Sequence, residues 1–279
     1  MNAEPRTQNE YDSRQTEAAR RVLVDVGQVL AAFEDCLVLV GGWVPDLLLP
    51  NADEPHVGSI DVDLALDAER LMEGRYAELL GQLLGTGRYR LGRKSFQLLA
   101  DVDLADGGAP VQVEVEFLAS KDVKLEKNKP KLLEGFRVLQ ADACGAAFRA
   151  PVRIEIEGRT LRGARNKVRL RVASLSDFLV MKAHALAGRD KPKDSYDLCY
   201  CLDHFPDGLK ALAVGWRERA AEEDVRRAVE ILREKFASPE DFGPAQVVEF
   251  FDSPDADTRA MQARRAFELV HGLLTLLSL

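Results

Sequence analysis

Asp61 and Asp63 are the residues of this sequence whose type and spacing most directly suggest chemistry. They alternate with apolar residues in the segment 60–66, and the two-residue period of a β-strand places both carboxylates on one face. Carboxylate oxygens are the ligands that Mg²⁺ prefers, with a substrate phosphate completing its shell. The D-x-D spacing is common, however, and Asp101 and Asp103 repeat it without a glycine turn before them. We interpret that second pair as a solvated strand face.

A third carboxylate is expected from the segment 111–119. This segment also alternates, and its polar face carries Glu114 and Glu116. If its strand lies beside the 60–66 strand, one glutamate completes a three-carboxylate cluster that could hold Mg²⁺ or Mn²⁺. We favour Glu116, which stands next to the apolar end of the strand, and leave Glu114 as the alternative. Metal ions held in this way activate an attacking hydroxyl and stabilise a leaving pyrophosphate.

Gly41 and Gly42 end a buried strand, 36–40, and precede a short helix that begins at Trp43. Glycine lets the backbone approach a phosphate closely, and a helix N-terminus offers free N–H donors. The pair therefore predicts either a phosphate-binding turn or simply a tight connection between strand and helix.

The remaining periodicity predicts a mixed sheet followed by helices. Strands are predicted at 36–40, 60–66, 88–104, 111–119 and 152–172, the last as a hairpin. Helices are predicted from Thr16 to about Glu34, from Asp67 to about Leu84, after Ser174 or Ser176, from Asp194, and over 209–220, 222–236, 244–251 and 257–277. The expected fold class is α+β, with a mixed sheet flanked by helices over 16–175 and a helical C-terminal domain over 176–279.

Two stretches of the sequence resemble a known family. The run LVGGWVPDLLLP, followed by GSIDVDLAL, resembles the signature of the DNA polymerase β-type nucleotidyltransferase superfamily. The segment FLVMKAHALAGRDKPKDSYDLCYCL is similar to the AbiEii/MenT-like toxins of type IV toxin–antitoxin systems. The resemblance covers 36–66 and 178–202. It implies a polymerase β-like fold whose helical domain contributes lysine and aspartate residues to the active-site cleft.

For the first stretch, the resemblance implies contacts with the nucleotide and with metal. Gly41 and Gly42 would form the triphosphate-binding turn, and Ser59 would contact phosphate. Asp61 and Asp63 would be catalytic residues that bind the metal together with a third acid. That third acid is usually an aspartate in the superfamily, whereas the strand at 111–119 offers only glutamates.

For the second stretch, the resemblance implies contacts with the phosphates of the nucleotide. Lys182 would be a catalytic residue that binds these phosphates, with Arg189 and Lys193 nearby. Asp194, a further catalytic residue, and Asp197 would match the two acids of the family's motif. The plain structural interpretation of the same residues is a surface lysine, an aspartate helix cap and solvated loop charges.

Composition and charge restrict the class of protein. The 279 residues are 46% hydrophobic and 30% charged, which excludes a disordered or disulfide-dense chain, and the four cysteines are expected to be reduced thiols. The net charge is −8, yet residues 149–193 carry twelve Lys/Arg against four Asp/Glu. This basic middle is compatible with a locally bound anion and with a solvated surface. The lysine-rich loop 121–131 is either solvated or follows an RNA backbone.

Together these features predict a metal-dependent nucleotidyltransferase that moves an NMP from an NTP to a hydroxyl acceptor. The resemblance implies an RNA acceptor, the 3′ end of tRNA, together with a toxin role and a separate antitoxin. No apolar run is long enough to span a membrane and no signal peptide is visible, so we expect a cytoplasmic protein without a membrane partner. The alternatives are a small-molecule (aminoglycoside-like) nucleotidyltransferase and a non-catalytic nucleotide- or RNA-binding module with a degenerate site.

Overall fold

The computed structural model describes residues 5–67, 70–71, 75–121 and 138–278. These residues form two compact units. The sheet unit comprises 12–44 and 58–174, and the helical unit comprises the residues up to 11, 45–57 and those from 175 onwards. Residues 45–57 therefore belong to the helical unit, although the segments on either side of them in the sequence belong to the sheet unit.

Eight strands form one mixed sheet in the sheet unit. Their bounds are β1 Leu37–Val40, β2 Asp61–Leu66, β3 Tyr89–Leu91, β4 Gln97–Val102, β5 Val111–Ser120, β6 Leu139–Ala141, β7 Val152–Arg159 and β8 Arg165–Val172. Their order is β3-β4-β5-β2-β1-β8-β7, and β6 pairs with β5. β2 runs antiparallel to β1 and parallel to β5, and β8 runs parallel to β1. β2 and β5, which carry the candidate metal ligands, are thus central neighbours.

Helix α1, Ser13–Val29, packs against one face of this sheet. Two glycines allow the close approach. A Cβ at Gly27 would lie 3.0 Å from a side-chain atom of Val168, and a Cβ at Gly158 would lie 2.9 Å from a side-chain atom of Val24. Helix and sheet therefore share one buried interface, which leaves the opposite face of β7 and β8 for charged residues.

The structure corrects both ends of the helix predicted from Thr16 to Glu34. Asp12 is the N-cap, because its Oδ1 accepts a hydrogen bond from the Gln15 amide at 2.8 Å, and α1 begins earlier than predicted. The helix ends at Val29, where the chain tightens into a 3₁₀ helix over Ala31–Cys36.

A second correction concerns the helix predicted from Asp67. Asp67 caps a turn instead, with its Oδ1 accepting from the Arg70 amide at 3.2 Å, and the helix seen here is α3, Arg75–Gly85. Residues 68–69 and 72–74 lie outside the described residues, as does the lysine-rich prediction at 121–131 apart from Lys121. The sequence did not predict β6.

Helices make up the described part of the helical unit. Their bounds are α4 Leu175–Gly188, α5 Pro192–Asp203, α6 Gly208–Glu218, α7 Glu223–Lys235, α8 Phe242–Phe251 and α9 Ala256–Leu277, while the short α2, Trp43–Leu48, contains the boundary between the units. Bounds predicted for the last four helices agree within two residues. The predicted fold class, a mixed sheet with helices followed by a helical C-terminal region, is confirmed. None of the described helices is long and apolar enough to cross a membrane.

Candidate active site

Four carboxylates project from one face of β2 and β5. The two strands run parallel, and their register pairs Asp61 with Glu114 and Asp63 with Glu116. Register partners point to the same face of a sheet, as do residues two apart in one strand. The structure therefore brings the predicted Asp61, Asp63 and Glu116 together on neighbouring strands, with the alternative Glu114 beside them.

Asp61 accepts hydrogen bonds from two neighbouring side chains, one at its carboxylate and one at its backbone carbonyl. The Ser59 hydroxyl donates to Asp61 Oδ1 at 2.5 Å, and the indole Nε1 of Trp43 donates to the Asp61 carbonyl oxygen at 2.7 Å. Both donors are buried, so water competes little for these bonds. The structure thus places Ser59 at the site as a partner of Asp61, and its contact with phosphate stays a prediction.

Asp63 lies directly against the glycine turn. Pairing between β1 and β2 puts Val40 opposite Asp63, and the next residue, Gly41, has a left-handed backbone with φ +73°. A Cβ built on Gly41 would lie 2.1 Å from Asp63 Oδ2, which is closer than atoms can pack. Gly41 is therefore required both for its backbone conformation and for the position of this carboxylate. Gly42, which is buried, leads into α2.

Replacing Gly41 by alanine should disable the site, whereas the same change at Gly107 should not. Both glycines have a left-handed backbone, with φ +73° and +82°, but a Cβ at Gly107 would meet nothing within 4 Å. Both changes carry about 1–2 kcal/mol of backbone strain, and only Gly41→Ala also displaces Asp63. We expect kcat for the predicted nucleotide transfer to fall about a hundredfold in Gly41→Ala, the scale of an ångström misplacement. Equal activities of the two variants, at matched melting temperatures, would contradict this role of Gly41.

Lys94 and Gln97 hold the two glutamates of β5. Lys94 Nζ lies 2.9 Å from Glu116 Oε1 and 3.7 Å from Glu114 Oε2. The buried Gln97 Nε2 donates to the same two carboxylates, at 3.3 and 2.5 Å. Burial raises the pKa of Glu114; the charge of Lys94 opposes this shift, and the charges of Glu116 and Asp61 add to it. The protein therefore neutralises part of its own carboxylate cluster.

Sequence reasoning missed both Lys94 and Gln97. Their role depends on the antiparallel pairing of β4 with β5, which puts Gln97 opposite Glu116. The sequence marks a strand over this region but carries no signal for its partner.

The carboxylates fit a hard divalent cation in kind, although Lys94 and Gln97 contact both glutamates. Asp61 and Asp63 offer oxygen ligands on one face, and Asp63 Oδ2 occupies space that only a glycine at position 41 leaves open. Glu116, in register with Asp63, contacts Lys94. Among the described residues, no three His, Cys, Asp or Glu side chains are grouped closely enough to hold a metal ion. For Glu116 to act as a third ligand, its carboxylate has to separate from Lys94.

The residues predicted from the second stretch form a buried ionic cluster within the helical unit. Lys182 Nζ, on α4, lies 2.7 Å from Asp194 Oδ1 and 2.7 Å from Asp197 Oδ2, both on α5. Arg189 binds Asp194 through two nitrogens, at 2.6 and 2.9 Å. Lys193 Nζ lies 2.7 Å from Asp197 Oδ1. We call these five residues the ionic cluster.

Electrostatics keep Asp194 and Lys182 charged despite their burial. Burial works to raise the pKa of Asp194, but the charges of Lys182 and Arg189 hold it below its ordinary value. Likewise, burial opposes the charge of Lys182, yet Asp194 and Asp197 hold its pKa above the ordinary value. Burial lowers the pKa of Lys193, the third basic residue of the cluster, and the charge of Asp197 opposes this shift. The Arg189 side chain is 51% exposed and that of Lys182 only 9%, so Arg189 is the more accessible of the two.

His56 is a partner of the ionic cluster that sequence reasoning missed. Its Nε2 lies 2.9 Å from Asp197 Oδ1, and its ring stacks on Tyr196 with ring centroids 5.3 Å apart. Burial lowers the pKa of His56 to about 4, so its neutral imidazole donates to Asp197 near pH 7. His56 stands in a loop 141 residues before Asp197, and no ligand spacing in the sequence links the two.

The sheet unit has the arrangement expected of a nucleotidyltransferase. One strand ends in a glycine turn, its neighbour carries the D-x-D pair, and the next strand carries glutamates in register with that pair. Comparison with known families supports this class: residues 21–269 match the family described as nucleotidyl transferase AbiEii toxin, type IV TA system. Since the match spans most of the chain, the protein belongs to this family. It is therefore a nucleotidyltransferase of a toxin family, and the predicted family and enzyme class are confirmed.

A solved structure is also similar to this chain, an antigenic nucleotidyltransferase-like protein from Paracoccidioides brasiliensis. It shares 15% sequence identity over 80% of this chain and 89% of that chain, with a TM-score of 0.43. No curated protein sequence matches significantly.

Proposed function

We propose that this protein transfers an NMP from an NTP to a hydroxyl of an RNA acceptor, the 3′ end of tRNA, and releases pyrophosphate. In this proposal it acts as a toxin that a separate antitoxin neutralises. The observation that carries the proposal is the register of β2 and β5, which places Asp61, Asp63 and Glu116 on one face in a chain of the AbiEii family.

We propose Asp61 and Asp63 as ligands of Mg²⁺ or Mn²⁺, with Glu116 as the third. When bound, such an ion lowers the pKa of an attacking hydroxyl and neutralises charge on the leaving pyrophosphate. The chain's own contribution is to orient the ligands: Ser59 fixes one oxygen of Asp61, and the missing side chain of Gly41 leaves room for Asp63. Ligands that are already oriented need less reorganisation as charge develops.

The phosphate contacts implied by the resemblance remain predictions. They involve Ser59 and the turn at Gly41 and Gly42 in the sheet unit, and Lys182, Arg189 and Lys193 in the helical unit. Asp194 remains a predicted catalytic residue. The exposed guanidinium of Arg189 suits an anion such as a triphosphate.

Lys94 should weaken metal binding, because its ammonium holds the proposed third ligand. We expect Lys94→Gln to tighten binding of Mg²⁺ or Mn²⁺ about three- to tenfold. A partly exposed ion pair such as Lys94–Glu116 contributes about 1 kcal/mol, and the metal no longer has to compete with it. The measurement is calorimetric titration of the metal alone into the protein. Lys121→Gln is the matched control, since Lys121 is equally exposed (53% against 54%) but pairs with Asp142. Weaker metal binding in Lys94→Gln would contradict the competition.

Incubation with each radiolabelled NTP, Mg²⁺ and total RNA tests the proposed function. Label on tRNA that disappears in Asp63→Asn supports it. Label on an aminoglycoside and none on RNA would instead assign a small-molecule acceptor. NTP binding without turnover on any acceptor would indicate a non-catalytic binding module. Growth arrest on expression, absent in Asp63→Asn, tests the toxin role.

A further inference from the structure

One face of the β7–β8 hairpin is made almost entirely of basic side chains. The antiparallel register pairs its outward residues, and six of the eight are basic. We call this set the basic face: Arg153, Glu155, Glu157 and Arg159 on β7, and Arg165, Lys167, Arg169 and Arg171 on β8. Its net charge of +4 contrasts with −8 for the whole chain.

The basic face lies on the same side of the sheet as the carboxylates. Asp63 pairs with Val40 across β2 and β1, so these two residues share a face. Leu39 pairs with Val172 across β1 and β8, so both point to the other side. Arg171 precedes Val172 and therefore shares the face of Asp63, and the rest of the basic face follows at two-residue steps.

Packing of α1 agrees with this assignment. The alternate residues of the hairpin, including Gly158, Val168 and Leu170, lie against α1. The hairpin is thus amphipathic: α1 covers its apolar side, and arginines such as Arg165 and Arg169 are exposed on the other. Apolar and charged residues therefore alternate along both strands of the hairpin, because only one side is buried.

The strand pairing shows which basic residues lie nearer to the carboxylates and which lie farther away. Strands lie about 4.8 Å apart, so β8 is about 10 Å and β7 about 14 Å from β2 across the sheet. β8 joins β1 near its carboxyl end, at Leu39 and Val172, so Arg171 is the nearest basic residue and Arg165 the farthest. At about 3.3 Å per residue, the row from Arg171 to Arg165 extends the face by about 20 Å.

Not every cation of the basic face is available to a ligand. Lys167 Nζ contacts both acids of the face, Glu155 at 2.7 Å and Glu157 at 2.9 Å. Arg153 contacts Glu34 at 3.3 Å. Arg171 donates to the Asp35 carbonyl oxygen at 2.7 Å, and Arg159 to that of Gly163 at 3.0 Å. Both acids of the face are thus paired with Lys167. Arg165 and Arg169 on β8 are exposed, and the basic residues of the face outnumber its acids.

We propose that the basic face binds the sugar–phosphate backbone of the acceptor RNA. The inference rests on the proposed function, because it assumes an RNA acceptor. A repeated row of guanidinium groups suits phosphates, which arginine binds through two nitrogens. The face has no aromatic or aliphatic anchor of the kind that forms the core of a protein–protein interface. A polyanion is therefore the better match than an acidic protein.

The test is binding of fluorescently labelled tRNA by anisotropy at several salt concentrations. We expect the double variant Arg165→Gln and Arg169→Gln to bind roughly tenfold more weakly at about 0.1 M salt, with the slope of log K against log[salt] reduced by about 1.4 to 1.8. The matched control is Arg217→Gln with Arg233→Gln, which removes two exposed arginines from α6 and α7. It should bind tRNA like the wild type. Equal melting temperatures exclude misfolding.

The outcomes separate this inference from the proposed function. Label transfer to RNA with unchanged tRNA affinity in the double variant overturns the role of the basic face and leaves the function standing; an acidic protein as the occupant would give this result. Binding that depends on the basic face, without transfer from any NTP, overturns the proposed function. A wild-type protein that neither binds nor labels RNA overturns both.

Discussion

Asp63→Asn should lower kcat for nucleotide transfer by about a thousandfold, the upper range for removal of a single charge-stabilising group. The change keeps the size of the side chain and removes the charge that a divalent cation needs. Asp63 also lies against the glycine turn, since a Cβ on Gly41 would lie 2.1 Å from its Oδ2. A quenched-flow or radiolabel assay at saturating NTP measures the effect, and metal titration should show binding weakened in parallel.

Asp101→Asn is the matched control for this result. Asp101 belongs to the second D-x-D of the chain, lies exposed on β4 and pairs with Arg90 at 2.8 Å. Its substitution should leave kcat within about twofold and stability within about 0.5 kcal/mol, as for most surface changes. If both asparagine variants keep wild-type activity, the carboxylates of β2 are not the catalytic site.

Asp197→Asn should lower the free energy of unfolding by about 3–5 kcal/mol, which is typical when one partner of a buried ion pair is removed. Asp197 is fully buried and accepts contacts from Lys182, Lys193 and His56. An amide of the same shape leaves these donors without a negative charge while they stay buried. Denaturant unfolding measures the loss, which corresponds to a melting temperature lower by about 10 °C.

Asp197 should also make the stability of the protein depend on pH, with a loss of stability at low pH. Burial opposes ionisation of Asp197, but the charges of Lys182 and Lys193 hold its pKa well below the ordinary value. A lowered pKa in the folded state stabilises the protein above the unfolded pKa of about 3.9, and this contribution is lost as the pH falls below it. Asp197→Asn should remove this part of the acid sensitivity.

Asp203→Asn provides the control on the same helix. Asp203 lies at the end of α5, is 35% exposed and pairs with Arg265. Exposed pairs contribute about 0–1 kcal/mol, so this variant should unfold close to the wild type. Similar losses in both variants would mean that burial of Asp197 does not determine its effect.

Local pattern predicted most of the secondary structure and half of the carboxylate site. The two-residue period of β2 was sufficient to put Asp61 and Asp63 on one face, because alternation is a property of a single strand. Their approach to Glu116 depended on strand order, which a period of two does not encode. Their convergence depends on the parallel pairing of β2 and β5, which local pattern does not predict.

Residues that act through long-range contacts were beyond sequence reasoning. Lys94 and Gln97 matter because β4 lies beside β5, and His56 because residues 45–57 pack within the helical unit. None of them shows a spacing that a local rule could detect. The predicted roles of Lys182 and Asp194 came from the resemblance alone, and the ionic cluster gives these residues partners without testing those roles.

The membership of residues 45–57 in the helical unit has a consequence for truncation and for synthesis. A fragment that starts at residue 175 lacks His56, so its Asp197 loses a buried hydrogen-bond donor. On the ribosome, His56 emerges long before α5 exists, and its contact must wait for 141 further residues. Such distant pairings slow folding. A separately expressed C-terminal piece should consequently refold poorly unless a peptide covering 45–57 is supplied with it.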